Sequence, residues 1–216
     1  ENISCLKQMV NNEVDRLRPH VKTNKIAEVC QMMRDAGIYK FKCATIAEAE
    51  MLAMIGAEDV LLAYQPVGPM VNRLVQLSLK YSDTTFSCVV DNLQSAQYLS
   101  TVFAEHELSV NIYIDINTGM NRTGIPVHQA MFFYEELELL ESINVKGLHV
   151  YDGHIRETDI AVRKQKVAVA YSELKMLAEK IKFLRGTGYA LKYIGLGCYY
   201  QGKLLEAREY WNESLQ

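Results

Sequence analysis

The fold is decided by the stretch YKFKCATIAEAEMLAMIGAEDVLLAY, residues 39–64. Its two ends, 39–44 and 59–64, are expected strands, and the second, with Val60, Leu61, Leu62 and Ala63, is the short apolar run typical of a buried strand. Between them Thr45 and Glu48 have the spacing of a capping box, in which side chains satisfy free backbone N–H groups at the start of a helix. A strand, a helix and a second strand in so short a stretch predict a β-α-β unit with parallel strands.

The same alternation continues in both directions along the chain. The expected strands, most of them rich in aliphatic and β-branched residues, are at 17–22, 39–44, 59–64, 84–90, 110–116 and 145–151. The expected helices have apolar residues at helical spacing, at 1–16, 25–36, 45–55, 71–81, 92–103, 127–140 and 159–181. Six strand-helix units predict an α/β fold and favour a TIM-like (β/α) barrel, which is incomplete because eight units need about 250 residues. A doubly wound sheet is the alternative, but no G-x-G-x-x-G follows the first strand.

Composition limits the class of function. The chain has 216 residues, 49% of them hydrophobic, and a net charge of −3, which suits a globular domain and argues against binding to nucleic acid or an anionic membrane. No apolar run approaches the roughly 20 residues of a spanning helix. The odd and scattered cysteines indicate reduced core thiols, and we expect a cytoplasmic location. They are Cys5, Cys30, Cys43, Cys88 and Cys198.

Functional side chains of a (β/α) barrel stand where the strands end. The first expected strand ends in the basic stretch LRPHVKTNK, residues 17–25, which contains Lys22. A lone lysine is most often a surface residue. Here Arg18 and Lys25 would disfavour a further positive charge and lower the pKa of the Lys22 amine, as Schiff-base chemistry requires. The residues alone do not decide whether Lys22 is a surface lysine or a lysine with Schiff-base chemistry.

Polar groups also follow the fifth and sixth expected strands. The loop TGMNRTG, 118–124, has two glycines that permit a tight turn with positive φ on either side of Arg122. Arg122 is either a solvated loop residue or a fixed donor to an oxygen anion. Asp115 lies inside the barrel, where we expect it to pair with a neighbouring donor. Tyr151 and His154 are either core residues or a stacking ring and an acid-base group.

Four of these stretches resemble one known family. LRPHVKTNK is similar to the lysine strand of the D-threonine aldolase and D-serine dehydratase family, pyridoxal phosphate enzymes of fold type III with an alanine racemase N-terminal type of barrel. The segment KFKCATIAEAEMLAMIGAEDVLLAYQPVGP resembles its second and third units, IDINTGMNRTG its arginine loop and GLHVYDGH its sixth strand. The resemblance covers about residues 1–160, in the same order. It departs at Asn24, where the family usually has a second histidine.

The resemblance implies a lyase that acts on D-3-hydroxy amino acids, as an aldolase or a dehydratase, with pyridoxal 5'-phosphate as cofactor. It implies that Lys22 forms the Schiff base, that Arg122 contacts the phenolic oxygen of the cofactor, and that Tyr151 lies near the ring. His154 belongs to the same motif and is the second catalytic candidate. The family also implies a homodimer and a divalent metal, whose ligands we do not find in this chain. The alternatives are a non-catalytic scaffold and a cofactor carrier.

The last part of the chain differs in pattern from the rest. We expect a cofactor-binding barrel at 1–189, followed by a helical hairpin at 190–216. The residues Gly186, Thr187 and Gly188 are either an ordinary turn or a remnant of the family's phosphate-binding loop.

The tail at 190–216 resembles a tetratricopeptide repeat and has one apolar face. The repeat-like positions are Leu196, Gly197, Tyr200, Gly202, Ala207 and Trp211, and the apolar face consists of Leu204, Leu205, Ala207 and Trp211. Since a single repeat cannot bury its own core, such a tail either docks on the barrel or belongs to a longer, partner-binding array.

Overall fold

The computed structural model describes residues 1–180, which form alternating helices and strands. The helices are α1 Asn2–Met9, α2 Ala27–Asp35, α3 Ile46–Met54, α4 Pro69–Lys80, α5 Leu93–Ala104, α6 Ala130–Leu137 and α7 Ile160–Lys180. The strands are β1 Lys40–Cys43, β2 Asp59–Leu62, β3 Thr85–Val90, β4 Val110–Asn117, β5 Ile125–Pro126 and β6 Ile143–Val150. Among these residues no helix is long and apolar enough to cross a membrane.

The strands form one sheet in the order β1-β2-β3-β4-β5, and β6 also pairs with β4. The pairs β1/β2, β2/β3 and β4/β5 are parallel. In the register Phe41 lies opposite Val60, which lies opposite Phe86. The predicted α/β fold with a parallel sheet is therefore confirmed.

The capping box at the start of α3 forms as the sequence predicts. Thr45 Oγ1 accepts a hydrogen bond from the backbone N–H of Glu48 at 3.1 Å, and Glu48 Oε2 accepts one from the N–H of Ala44 at 2.7 Å. Both bonds satisfy backbone donors that have no partner inside the helix. They fix the point at which the chain turns from β1 into α3.

The chain divides into two compact units. The first comprises Glu1–Tyr113 and Leu137–Val145, and the second comprises Ile114–Glu136 and, within the described residues, 146–180. The core of the first unit is built from apolar side chains of strands and helices. Fully buried members are Phe41, Leu52, Leu61, Leu74, Leu99, Phe103 and Ile112. In the second unit Ile114 and Leu148 are buried in the same way.

The predicted strand at 17–22 is wrong. Its contribution to the sheet is one parallel bridge, His20 opposite Lys42, and a hydrogen bond from the N–H of Lys42 to the carbonyl of Pro19 at 2.8 Å. Pro19 has no N–H to donate to a ladder. Directly after the bridge the chain closes into the 3₁₀ turn Val21–Thr23, which contains Lys22. Lys22 therefore lies on a turn rather than at the end of a strand.

The end of the first helix and the presence of β5 also differ from the prediction. The first helix ends at Met9 because Asn11 and Asn12 adopt positive φ angles of 53° and 62°, which a right-handed helix does not accommodate. The short strand β5 precedes α6 and was not expected, since two residues ending in a proline show no periodicity that a sequence pattern could detect.

The described cysteines are reduced, as expected. Cys5, Cys30, Cys43 and Cys88 are free thiols. Burial raises the pKa of Cys30, Cys43 and Cys88, so these three thiols are packing residues rather than nucleophiles. Cys198 lies outside the described residues.

Candidate functional site

The basic stretch around Lys22 is largely neutralised by carboxylates. Arg18 is buried, and its guanidinium donates two hydrogen bonds to the carboxylate of Asp59, at 2.6 and 2.5 Å. The ammonium of Lys25 lies 3.3 Å from Glu48 Oε1. The two cations that the sequence placed next to Lys22 therefore each have a counter-ion. Arg18 ties the stretch to β2, and this bidentate geometry is the strong form of an arginine–carboxylate pair.

Lys22 itself is exposed on the 3₁₀ turn. The turn is held by His20 Nδ1, which accepts a hydrogen bond from the backbone N–H of Lys22 at 3.3 Å. Hydrogen bonds from the N–H groups of Asn24 and Lys25 to the carbonyl of Val21 close it. The Lys22 ammonium makes no hydrogen bond or ion pair to any residue of 1–180. Its backbone is thus held while its amine remains accessible.

The loop that carries Arg122 is organised by Asn117, the last residue of β4. Asn117 Oδ1 accepts hydrogen bonds from the N–H groups of Gly119 and Asn121, at 2.9 and 3.1 Å, and its Nδ2 donates to Asn121 Oδ1 at 2.9 Å. Gly119 and Gly124 have φ angles of 117° and 93°, so the predicted positive-φ turn is confirmed. Asn117 was not singled out from the sequence, although an asparagine directly before a glycine-containing loop favours such turns.

Arg122 and Tyr151 are brought together. The Arg122 guanidinium carbon lies 5.3 Å from the centroid of the Tyr151 ring, in a cation–π arrangement. Thr118 Oγ1 donates to the carbonyl of Tyr151 at 3.4 Å, which links the same loop to the residue after β6. A Cβ at Gly153 would collide with the Tyr151 hydroxyl, so the glycine leaves room for the ring. Arg122 makes no hydrogen bond or ion pair to any described residue.

His154 lies against the same loop. A Cβ built on Gly119 would be 2.9 Å from His154 Nε2, so the glycine admits the imidazole. Partial burial lowers the pKa of His154, Glu157 opposes this effect and Lys166 adds to it. A histidine with a lowered pKa is neutral near pH 7 and can accept a proton. The second unit therefore assembles Arg122, Tyr151 and His154, as the strand-end argument predicts.

A buried hydrogen-bonded pair lies along the same two strands. His149 Nδ1 is 2.6 Å from Asp115 Oδ1, and both side chains are buried. The expected pairing of Asp115 is confirmed, but its partner was not predicted. His149 is two residues before Tyr151, and Asp115 is two before Asn117, so in each strand the two side chains point to the same face. In the sequence, His149 stands out only as a polar residue within an apolar run.

Asp152 is a further titratable group that sequence reasoning missed. Its side chain is buried directly after β6. Burial raises the pKa of Asp152 to about 7, because a charged carboxylate is disfavoured away from water. The Asp152 carboxyl therefore holds its proton to a much higher pH than an ordinary aspartate does.

The candidate residues lie in different parts of the chain. Lys22 belongs to the first unit, and Arg122, Tyr151 and His154 belong to the second. Gly186, Thr187, Gly188 and the tail at 190–216 lie outside the described residues. Residues 1–180 contain no cluster of three or more His, Cys, Asp or Glu side chains that could hold a metal ion.

The loop geometry makes Gly124 a sensitive position. In Gly124→Ala the new Cβ would lie 2.7 Å from the nitrogen of Asn117 and 2.8 Å from the carbonyl carbon of Ile116, whereas Gly37, with φ of 90°, has nothing within 4 Å. Left-handed backbone costs about 1–2 kcal/mol at either site. We expect urea unfolding to show an additional loss of at least about 1 kcal/mol for Gly124→Ala over Gly37→Ala. Equal losses of unfolding free energy in the two variants would show that the loop accommodates the new Cβ at no further cost.

Comparison with known proteins gives one family match. A model of the N-terminal domain of alanine racemase matches residues 1–194. Among curated proteins, the 3-hydroxy-D-aspartate aldolase of Paracoccus denitrificans (strain Pd 1222) is 27% identical over 192 residues, which cover 86% of this chain and 48% of the relative. The D-threo-3-hydroxyaspartate dehydratase of Delftia sp. (strain HT23) is 32% identical over 125 residues, 57% of this chain and 32% of the relative. The chain spans about half the length, or less, of these relatives.

Solved structures show the same fold. The D-threonine aldolase from Filomicrobium marinum superposes with a TM-score of 0.75 at 21% identity, over 90% of this chain and 55% of that one. An alanine racemase from Clostridium difficile 630 superposes with a TM-score of 0.65 at 19% identity, over 84% and 47%. The sheet and helices thus match the TIM-like barrel of these proteins. The comparisons do not support the tetratricopeptide resemblance at 190–216.

Proposed function

Because the chain belongs to the family of alanine racemase N-terminal domains, we propose that it binds pyridoxal 5'-phosphate through Lys22 and acts on D-3-hydroxy amino acids. Support comes from relatives named as a 3-hydroxy-D-aspartate aldolase, a D-threo-3-hydroxyaspartate dehydratase and a D-threonine aldolase. The reaction is a lyase reaction, either cleavage of the Cα–Cβ bond to glycine and an aldehyde or loss of water. The homodimer and the divalent metal implied by the family belong to the same proposal.

The environment of the Arg122 guanidinium is the main support for this proposal. Its guanidinium is exposed and held above the Tyr151 ring, and among the described residues its N–H donors meet no carboxylate. Arg18, by contrast, is buried and saturated by Asp59. A fixed guanidinium with free donors suits an oxygen anion such as the phenolic oxygen of the cofactor. The residues present therefore fit the group.

Each residue has one role in this proposal. Lys22 would hold the cofactor through its accessible amine. Arg122 would hold the cofactor oxygen, and Tyr151 would lie near the ring and keep Arg122 in place. His154 accepts a proton from the substrate, since burial lowers its pKa and leaves the imidazole neutral. Bound pyridoxal 5'-phosphate supplies an electron sink for the bond that breaks at Cα.

The proposal is tested by cofactor titration and product analysis. The full chain is titrated with pyridoxal 5'-phosphate and then given D-threonine, D-serine or 3-hydroxy-D-aspartate, with and without a divalent metal. Glycine with an aldehyde identifies an aldolase, and a keto acid with ammonia identifies a dehydratase. Arg122→Leu is expected to weaken cofactor binding about tenfold, the loss of one charge-assisted hydrogen bond.

The matched control is Arg73→Leu, which removes an exposed arginine from α4 in the first unit. It is expected to leave cofactor binding unchanged. If wild-type protein binds no cofactor, or if both variants bind it equally well, Arg122 has no such role. Cofactor binding without either pair of products would leave a cofactor carrier as the function.

A further inference from the structure

The loop 151–159 connects β6 to α7 and carries His154. One ion pair ties this loop to the helix, because Glu157 Oε1 accepts a hydrogen bond from the ammonium of Lys166 on α7. His154, Glu157 and Lys166 all line one groove of about 1170 Å³ in the second unit. The imidazole and both charges of the ion pair therefore border the same open space.

Glu157 is a negative charge that water solvates incompletely. Its side chain is 25% exposed, and its Oε2 is buried and meets no hydrogen-bond donor among the described residues. The hydrogen bond from Lys166 lowers the pKa of Glu157, so the carboxylate stays charged in the pH range where a histidine titrates. A partly buried charge is screened less by water and salt than an exposed one, so Glu157 acts on groups that share the groove.

The two charges of the pair act on His154 in opposite directions. Burial lowers the pKa of the imidazole, Glu157 raises it and Lys166 lowers it. Neighbouring elements carry further charged or titratable side chains. They are Arg122 on the loop 118–124, His128 on the turn Val127–Gln129, Tyr151, Asp152 and Arg156 on the loop of His154 itself, and Glu173 on α7.

We propose that Glu157 and Lys166 are positioning residues for His154, because their ion pair holds the loop on α7 and keeps one charge of each sign near the imidazole. The inference rests on the proposed function, in which His154 accepts a proton from the substrate. Glu157 and Lys166 themselves are assigned no contact with substrate or cofactor. They act through His154, since the balance of their charges determines how readily the imidazole takes up a proton.

The test is an NMR titration of the histidine side chains in the full chain, without cofactor. The chain has five histidines, and the signal of His154 is the one that His154→Asn removes. Glu157→Gln should lower the pKa of His154 by about half a pKa unit, because a favourable negative charge is lost and the positive charge of Lys166 remains. Lys166→Met should raise the pKa of His154 by about the same amount, because the unfavourable positive charge is lost.

Opposite shifts distinguish an effect of charge from a simple loosening of the loop. Both variants break the same ion pair, so loss of anchoring alone would raise the pKa of His154 in both, as the imidazole becomes more exposed. The controls are Glu173→Gln, at a position that lines the same groove, and Lys175→Met, which changes an exposed lysine on α7. Both controls should leave the pKa of His154 unchanged. Shifts in the same direction, or shifts no larger than those of the controls, would overturn the proposal.

Turnover gives a separate test of the proposed function. The pH below which kcat/KM falls should be lower in Glu157→Gln and higher in Lys166→Met than in the wild-type protein, because this limb reports the pKa of the base in the free enzyme. Opposite NMR shifts with a limb that moves in neither variant would reject His154 as the proton acceptor and still support the effect of the ion pair on the imidazole. Failure of the ion-pair proposal and failure of the proposed function therefore give different results.

Discussion

Asp115→Ala is expected to lower the free energy of unfolding by about 1–3 kcal/mol, the usual cost of removing one partner of a buried hydrogen bond. The pair is short, with 2.6 Å between His149 Nδ1 and Asp115 Oδ1, and its side chains are only 7% and 8% exposed. Without Asp115 the buried imidazole loses this acceptor and water cannot replace it. Urea unfolding followed by circular dichroism measures the loss.

A double-mutant cycle tests whether the lost stability comes from the interaction between Asp115 and His149. His149→Phe should cost at least about 1 kcal/mol less in the Asp115→Ala background than in the wild-type protein, because the interaction is already gone. His106→Ala is the control, since His106 bonds within its own helix region, to the carbonyl of Val102 at 2.9 Å. Its effect should be the same in both backgrounds. Additive losses for Asp115 and His149 would show that they are not coupled.

Asp152→Asn is expected to change the pH dependence of stability. Burial raises the pKa of the folded-state carboxyl to about 7 from the ordinary 3.8. Between these values the folded protein holds a proton that the unfolded chain has released, so this contribution to stability is complete below about pH 4 and is lost as pH rises through 7. Three pKa units correspond to at most about 4 kcal/mol.

The measurement is urea unfolding at pH 4, 5.5, 7 and 8.5 for both proteins. Relative to Asp152→Asn, the wild-type protein should lose stability between pH 4 and about pH 7 and change little between pH 7 and 8.5. Asp83→Asn replaces an exposed carboxylate and should follow the wild-type curve. Parallel curves for wild type and Asp152→Asn would mean that the Asp152 carboxyl is solvated and ionises normally.

The order of strands and helices was predictable because local patterns determine it. The capping box of Thr45 and Glu48 starts α3 where the sequence places it, and the bonds involved span four residues or fewer. The predicted strand at 17–22 failed for an equally local reason. Pro19 cannot donate to the sheet, and the turn at Val21 closes directly behind it.

The site was predictable where residue type dictates backbone geometry. Gly119 and Gly124 occupy positive φ angles, which glycine alone adopts without strain. Partners distant in the sequence were not predictable. Asp115 was expected to pair, yet its partner His149 follows from the pairing of β4 with β6, which a strand pattern does not reveal.

The ion pairs around Lys22 were also not predictable, because their partners are distant in the sequence. The sequence places Arg18 and Lys25 near Lys22, but their carboxylate partners Asp59 and Glu48 come from later elements. Both ion pairs depend on how β2 and α3 pack beside the basic stretch. The sequence therefore shows the two cations near Lys22 but not the carboxylates that pair with them.

The most direct test of the central claim is to identify the lysine that bonds to the cofactor. The full chain is incubated with pyridoxal 5'-phosphate, reduced with borohydride and digested, and the labelled peptide is mapped by mass spectrometry. We predict the label on Lys22, its loss in Lys22→Arg and its retention in Lys25→Arg. No label, or label scattered over surface lysines and unchanged in Lys22→Arg, would contradict the assignment of Lys22 as the cofactor lysine.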